Sequence, residues 1–336
     1  MSDTRTALLW QEALVETLWG RRGIVKVVAL CLTVALSATR AASAGLPERW
    51  AVCLQLFAAV ACWSQMAILA NELSDRAPDQ AAGKRRWICR LPPMAGVMVT
   101  TLYPVIGFVA LAAAGGTGVV LALYGVAVAL ALLYSVKPVR MKERGIWGVL
   151  GYVVCAATGL TIVPCVMLRS DWLTLAILAP AVALDKSVNL QFHQIIDYEG
   201  DRRAGIRTCV TEIGLSRAKS WLGWVSWLAT FWLFATIVFA VVSLPTWRTW
   251  VAYGMGAVLL AVSAYSIGQR RRDEATELVR NLPWPYLTLT YVAFRALPIV
   301  LLARLTLQAP AMWTVACVAT ALVLIESWQS FRYRLP

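Results

Sequence analysis

The chain has 336 residues, 60% of them hydrophobic and only 15% charged. That excludes an ordinary soluble domain, which averages about 45–50% apolar and about 25% charged residues, and it excludes a disordered chain, which needs low hydrophobicity. Basic residues outnumber acidic ones by 31 to 18, a formal charge of +13. In a chain this apolar, the excess implies loops facing anionic lipid or an anionic substrate, not nucleic acid.

Residues 1–22 contain Asp3, Glu12 and Glu16, which a cleavable signal peptide avoids. They read as a short interfacial amphipathic segment lying on the membrane. From residue 23 to 336 a single transmembrane domain is expected. A membrane-spanning helix needs roughly 20 apolar residues. Hydropathy predicts ten spans, at 23–40, 50–70, 92–113, 117–135, 147–167, 172–192, 220–242, 248–268, 285–304 and 308–326. The fold class is therefore all-α, a polytopic transmembrane helix bundle of nine to ten spans.

The basic residues alternate between loops. The N-terminus carries Arg5, Arg21 and Arg22, and the loop after span two carries Arg76, Lys84, Arg85, Arg86 and Arg90. Further groups follow spans four, six and eight, and Arg332 and Arg334 close the chain. The opposite loops hold only Arg40, Arg49, Arg169, Arg248 and Arg304. The positive-inside rule places both termini and the even-numbered loops in the cytoplasm; the expected location is the plasma membrane of a bacterium. Eight cysteines form no C-x-x-C pair and sit mostly in apolar runs, where cysteine behaves as a small hydrophobe.

Acidic residues cluster at two places on that same side. After span two the chain reads Asn71-Glu-Leu-Ser-Asp75-Arg-Ala-Pro-Asp79, an N-x-x-x-D-x-x-x-D pattern. After span six it reads Asp197-Tyr-Glu-Gly-Asp201, a D-x-x-x-D pattern. A spacing of four stacks side chains on one helix face, although Pro78 is expected to loosen the first stretch. On span six the stripe extends upward through His193 and Asn189 to Asp185, beside Lys186. A polar stripe on an apolar span should face a cavity, not lipid.

Carboxylates gathered this closely repel one another. Mg²⁺ relieves that repulsion, using one or two carboxylates per ion with water and substrate phosphates as the remaining ligands. Two facing aspartate pairs could thus hold a diphosphate through Mg²⁺, with Asp75, Asp79, Asp197 and Asp201 as metal ligands and catalytic residues. Nearby Lys84, Arg85 and Arg202 would take remaining phosphate charge. Loss of diphosphate from an allylic carbon leaves a cation that needs a dry, aromatic-lined cavity. A single D-x-x-x-D at a helix end is usually a solvated face. Two on same-side loops of a polytopic chain, one led by asparagine, are far more specific. His193 on its own reads as a structural histidine; its place on the stripe makes it a candidate substrate-binding residue, with Asn189.

These residues resemble the UbiA superfamily of intramembrane prenyltransferases, which carries N-x-x-x-D-x-x-x-D after its second helix and D-x-x-x-D after its sixth. The second motif continues here through Arg202, Ala204, Gly205 and Thr208, similar to the family's D-x-E-G-D-R-x-A-G-x-x-T run. The loop after span four, Tyr134-Ser-Val-Lys137-Pro-Val-Arg140-Met-Lys142-Glu-Arg144-Gly145, is similar to a Y-S-x-x-P-x-R-x-K-x-R-G signature of several branches.

The resemblance implies a bundle around a central cavity capped by cytoplasmic motif loops. It also implies Mg²⁺ as cofactor, a prenyl diphosphate and membrane lipid as partners, and a tail running between helices. Asn71, Asp75 and Asp79 would form one metal site and Asp197 and Asp201 the other. Tyr134, Lys137, Arg140 and Lys142 would lie near the diphosphate or the cation. The activity implied is prenyl transfer to a small lipophilic, aromatic acceptor with release of diphosphate. The alternatives are a terpene cyclase that needs no acceptor and, from another class, a transporter or lipid-binding membrane protein. The chain departs from many members in having Asn71-Glu72 where they have N-D. It also has Gly83-Lys-Arg-Arg-Trp87 where they have N-R-P, and ten predicted spans where nine are usual.

Overall fold

A computed structural model describes residues 28–40, 50–81, 83, 86–242, 282 and 284–332. The predicted interfacial segment 1–22, the span 248–268, and Lys84 and Arg85 lie outside the described residues.

Among the described residues the chain is all-helical, without strands. The long helices are α1 (Val28–Arg40), α2 (Trp50–Ser74), α3 (Pro93–Ala113), α4 (Gly118–Ser135), α5 (Ile146–Met167), α6 (Trp172–Ile196), α7 (Leu215–Val242), α8 (284–308) and α9 (Trp313–Arg332). Six of these, α2 to α7, are long and apolar enough to cross a membrane.

Burial separates inner from outer helices. In α2 and α5, 61% and 67% of the apolar window is buried, against 28% in α3 and α4. Yet α3 and α4 are as hydrophobic by sequence as the inner pair, with mean hydropathies of 1.9 and 2.2 against 1.8 in α2 and 2.0 in α5, and they leave Met94, Met98, Val109 and Val119 exposed. A helix that is apolar on all sides and exposed on its outer face suits lipid, not water. The chain is an integral membrane protein.

Polar side chains tie the bundle internally. Trp63 of α2 donates its indole N–H to the Ala127 carbonyl of α4 at 3.0 Å, and the Tyr124 hydroxyl donates to the Ala59 carbonyl at 3.0 Å. Both α5 and α8 contain a π-helical turn, at Thr158–Ile162 and Val292–Ala296. At one end of the bundle, Arg40 of α1 meets Asp171 at 2.7 Å, at the start of α6, and stacks over Phe239 of α7. The motif loops all lie at the other end.

Candidate active site

Both aspartate motifs share one backbone design. Helix α2 ends at Ser74, Asp75 is a single-residue junction, and a short helix Arg76–Ala81 follows. Helix α6 ends at Ile196, Asp197 is the junction, and a short helix Tyr198–Arg203 follows. Helical bonding continues across each break: Asp75 N–H to the Asn71 carbonyl at 3.0 Å, then Asp79 N–H to that of Asp75 at 2.8 Å. The second motif repeats this, with Asp197 bonded to His193 and Asp201 to Asp197, each at 2.9 Å. The spacing of four therefore survives each junction. Pro78 is tolerated because it stands in the first turn of its short helix, where an N–H has no intrahelical partner.

The run after Asp201 explains its own residue choices. Gly205 takes the left-handed conformation (φ +69°). Its N–H bonds to the Arg202 carbonyl and that of Ile206 to the Asp201 carbonyl, a Schellman ending for the short helix. Thr208 then caps helix Cys209–Ile213 in a reciprocal box with Thr211.

The loop between α4 and α5 supplies the cations. Lys142 donates to Asn71 Oδ1 at 2.8 Å and reaches both oxygens of Asp75 at 2.6 Å. Arg140 pairs with Asp75 at 2.9 Å and with Glu143 at 2.7 Å, and also donates to the Ser74 carbonyl at 3.3 Å. Arg144 holds the loop's shape by donating to the carbonyls of Val139 and Pro138. Gly145 forms a parallel bridge with Thr208. A side chain at Gly145 would collide with the Glu212 carboxylate, and its φ is +56°. One loop thus contacts the first motif at Lys142 and the segment after the second motif at Gly145. A cavity of about 500 Å³ lies at that second contact, lined by Glu143, Arg144, Ile146, Trp147, Arg207 and Glu212.

Of the other predicted residues, Asp79 pairs with Arg86 at 3.1 Å, and Arg86 also reaches buried Glu72 at 3.7 Å. Tyr134 packs against Tyr152 with ring centroids 5.6 Å apart, and its neighbour Ser135 bonds Asn71 Oδ1 at 3.5 Å. Lys137 and Arg202 are exposed. Asn189, His193 and Asp197 are exposed along one stripe of α6, whereas Asp185 is buried at its inner end. There Asp185 accepts a bond from Tyr286 at 3.0 Å and meets Lys186 at 3.3 Å. Arg295 of α8 and Glu326 of α9 add a second pair at 3.6 Å.

Burial pulls the pKa of Lys142 below the ordinary lysine value, outweighing the upward pull of Asp75. Among the described residues no three His, Cys, Asp or Glu side chains gather closely enough to hold a metal unaided. Three oxygens of Asn71 and Asp75 nevertheless converge on one positive centre, the Lys142 ammonium. That donor set, a carboxylate and an amide oxygen, suits Mg²⁺ whose remaining ligands come from water and phosphate.

The family model of the UbiA prenyltransferase family matches residues 32–284. The chain belongs to this family. Solved UbiA homologues share the fold. One from Archaeoglobus fulgidus bound to DMAPP and Mg2+ is 15% identical, with a TM-score of 0.51, covering 82% of this chain and 96% of that one. The same homologue bound to GPP and Mg2+ matches at 15% identity and a TM-score of 0.51, covering 82% and 97%. An apo homologue from Aeropyrum pernix K1 matches at 16% identity and a TM-score of 0.52, covering 84% and 98%. No curated protein matches the sequence.

Sequence reading missed Arg86, Glu143 and Tyr286. The triplet Lys84-Arg85-Arg86 gave no basis for choosing Arg86. Nothing in sequence spacing links Tyr286 to a residue on α6.

Proposed function

We propose that this UbiA-family protein is a Mg²⁺-dependent intramembrane prenyltransferase, moving a prenyl group from a prenyl diphosphate to a small lipophilic, aromatic acceptor. Its motif loops and N-terminus face the cytoplasm, in a topology of nine to ten spans within a bacterial plasma membrane. The observation that carries the reading is the convergence of Asn71, Asp75, Arg140 and Lys142 at one end of the bundle. The homologues that hold DMAPP or GPP with Mg2+ support it.

In this reading Asn71, Asp75 and Asp79 hold one metal ion and Asp197 and Asp201 the other. When bound, Mg²⁺ supplies Lewis-acid stabilisation of the charge on the departing diphosphate. Arg140, Lys142, Lys137 and Arg202 bind diphosphate oxygens by charge-assisted bonds. Tyr134 and Tyr152, packed against each other, are the aromatic rings of this end that would stabilise an allylic cation. The exposed stripe through His193 and Asn189 offers the acceptor's polar group hydrogen-bond partners.

The test is diphosphate release from geranyl diphosphate by wild type, Asp75→Asn and Asp197→Asn in membranes. Loss of even an outer-shell partner costs about 10–100-fold in metal affinity or activity, so each variant should lose at least about 100-fold. Full retention by both would overturn the assignment.

A further inference from the structure

The two aspartate motifs share a backbone design but not an electrostatic state. Asp75 is engaged by Lys142 and Arg140, and Arg140 is also paired with Glu143. These four side chains form a set with no net charge. Asp79 and Glu72 share Arg86. Asp197 occupies the equivalent junction, is exposed, and has no ion pair among the described residues. The first motif is therefore closed by the chain's own cations, and the leading aspartate of the second is open.

Lys142 is the decisive member. Its ammonium stands 2.6–2.8 Å from the three oxygens that would ligate a metal. A divalent ion and an ammonium cannot share those oxygens, because their charges would repel at contact distance. Nor does a neutral cluster attract a cation from solution. A diphosphate changes this balance, because its oxygens offer Lys142 and Arg140 new charge-assisted partners. The loop that carries both cations also touches Thr208, seven residues after Asp201, through Gly145. A ligand held at the second motif thus acts beside the loop that must move.

We infer that Lys142 is a resident stand-in cation, so that the first motif takes a divalent ion only after a diphosphate has drawn Lys142 and Arg140 off Asp75. This rests on the reading of Asp75 as a metal ligand. It assigns a binding order: a diphosphate carried with its own divalent ion to the exposed Asp197 junction first, metal at Asp75 second. It makes Lys142 a barrier to metal in the ligand-free protein as well as a diphosphate contact.

The test uses the full chain in lipid nanodiscs, with Mn²⁺ binding read by electron paramagnetic resonance. Without diphosphate, Lys142→Gln should bind Mn²⁺ about tenfold or more tightly than wild type, because charge-assisted bonds of this kind are worth at least that factor. Adding Asp75→Asn to Lys142→Gln should abolish the gain. Wild type should acquire the same Asp75-dependent site when geranyl S-thiolodiphosphate, an unreactive analogue, is added. Arg140→Gln is an independent variant that should shift affinity in the same direction, should Lys142→Gln not fold. The proposal is overturned if wild type binds Mn²⁺ without diphosphate as tightly as Lys142→Gln and Asp75→Asn weakens both equally. In that case the metal-site reading stands. If no condition produces an Asp75-dependent site, the reading of Asp75 as a ligand fails, and the proposal with it.

Discussion

Arg86 shows what a single residue contributes and what sequence spacing conceals. It is the cation that holds Asp79 and the buried carboxylate of Glu72. Arg86→Gln removes one charged partner from each acid and should cost about 1–3 kcal/mol, the usual worth of bonds to charged groups. Thermal unfolding in detergent would show it as a lower Tm; an unchanged Tm would assign Arg86 no structural role. Tyr286→Phe should cost less, about 0.6–1.7 kcal/mol, the range for side-chain bonds within membrane bundles, because Lys186 still pairs with Asp185. Gly145→Val should be severe, since the backbone there has φ +56°, a conformation that a β-branched residue takes only under strain. It should abolish diphosphate release while far-UV circular dichroism still reports a helical protein. The aspartate clusters stood out in the sequence because charge is rare in this chain, whereas Lys142 was singled out only by the resemblance of its loop to a family signature. Arg86, Glu143 and Tyr286 were not, because their roles depend on pairing between separate segments.

Among the described elements, hydropathy located the long helices but misplaced their ends where polar residues continue a helix. Span six was expected at 172–192, yet α6 runs to Ile196 and carries His193 within its last turn. Span two was expected at 50–70, yet α2 runs to Ser74. Hydropathy senses lipid contact, whereas a helix ends where its backbone bonding ends. The π-helical turns of α5 and α8 had no compositional signal. At the end of the bundle away from the motifs, Arg40 and Asp171 join α1 to α6. Burial alone would raise the Asp171 carboxyl, but its bonds from Arg40 and the Thr174 N–H outweigh this and hold it below the ordinary 3.8. A depressed carboxylate stabilises the fold fully above its unfolded-state pKa and loses that contribution as pH falls through the folded-state value. Asp171→Asn keeps a good N-cap for α6 and removes only the charge. Its Tm deficit against wild type should be the same at about pH 7 and about pH 5, and should shrink below the ordinary aspartate value. A deficit that persists in acid would remove the ion pair as its cause.

The whole molecule is a membrane bundle with its motif loops gathered at one end. Exposed apolar faces on α3 and α4 turn to lipid, and α2 and α5 form the interior. The +13 charge and the few clustered acids belong to one arrangement, in which cations of one loop neutralise acids of another. Chelation with EDTA should abolish turnover, and added Mg²⁺ should restore it, measured as diphosphate release. The most direct test of prenyl transfer is mass spectrometry of the lipophilic products. Purified protein would be incubated with geranyl diphosphate, Mg²⁺ and a panel of phenolic acceptors. The account predicts an acceptor carrying one geranyl group, formed together with free diphosphate and absent in Asp75→Asn. A cyclic hydrocarbon formed equally well without any acceptor would contradict it.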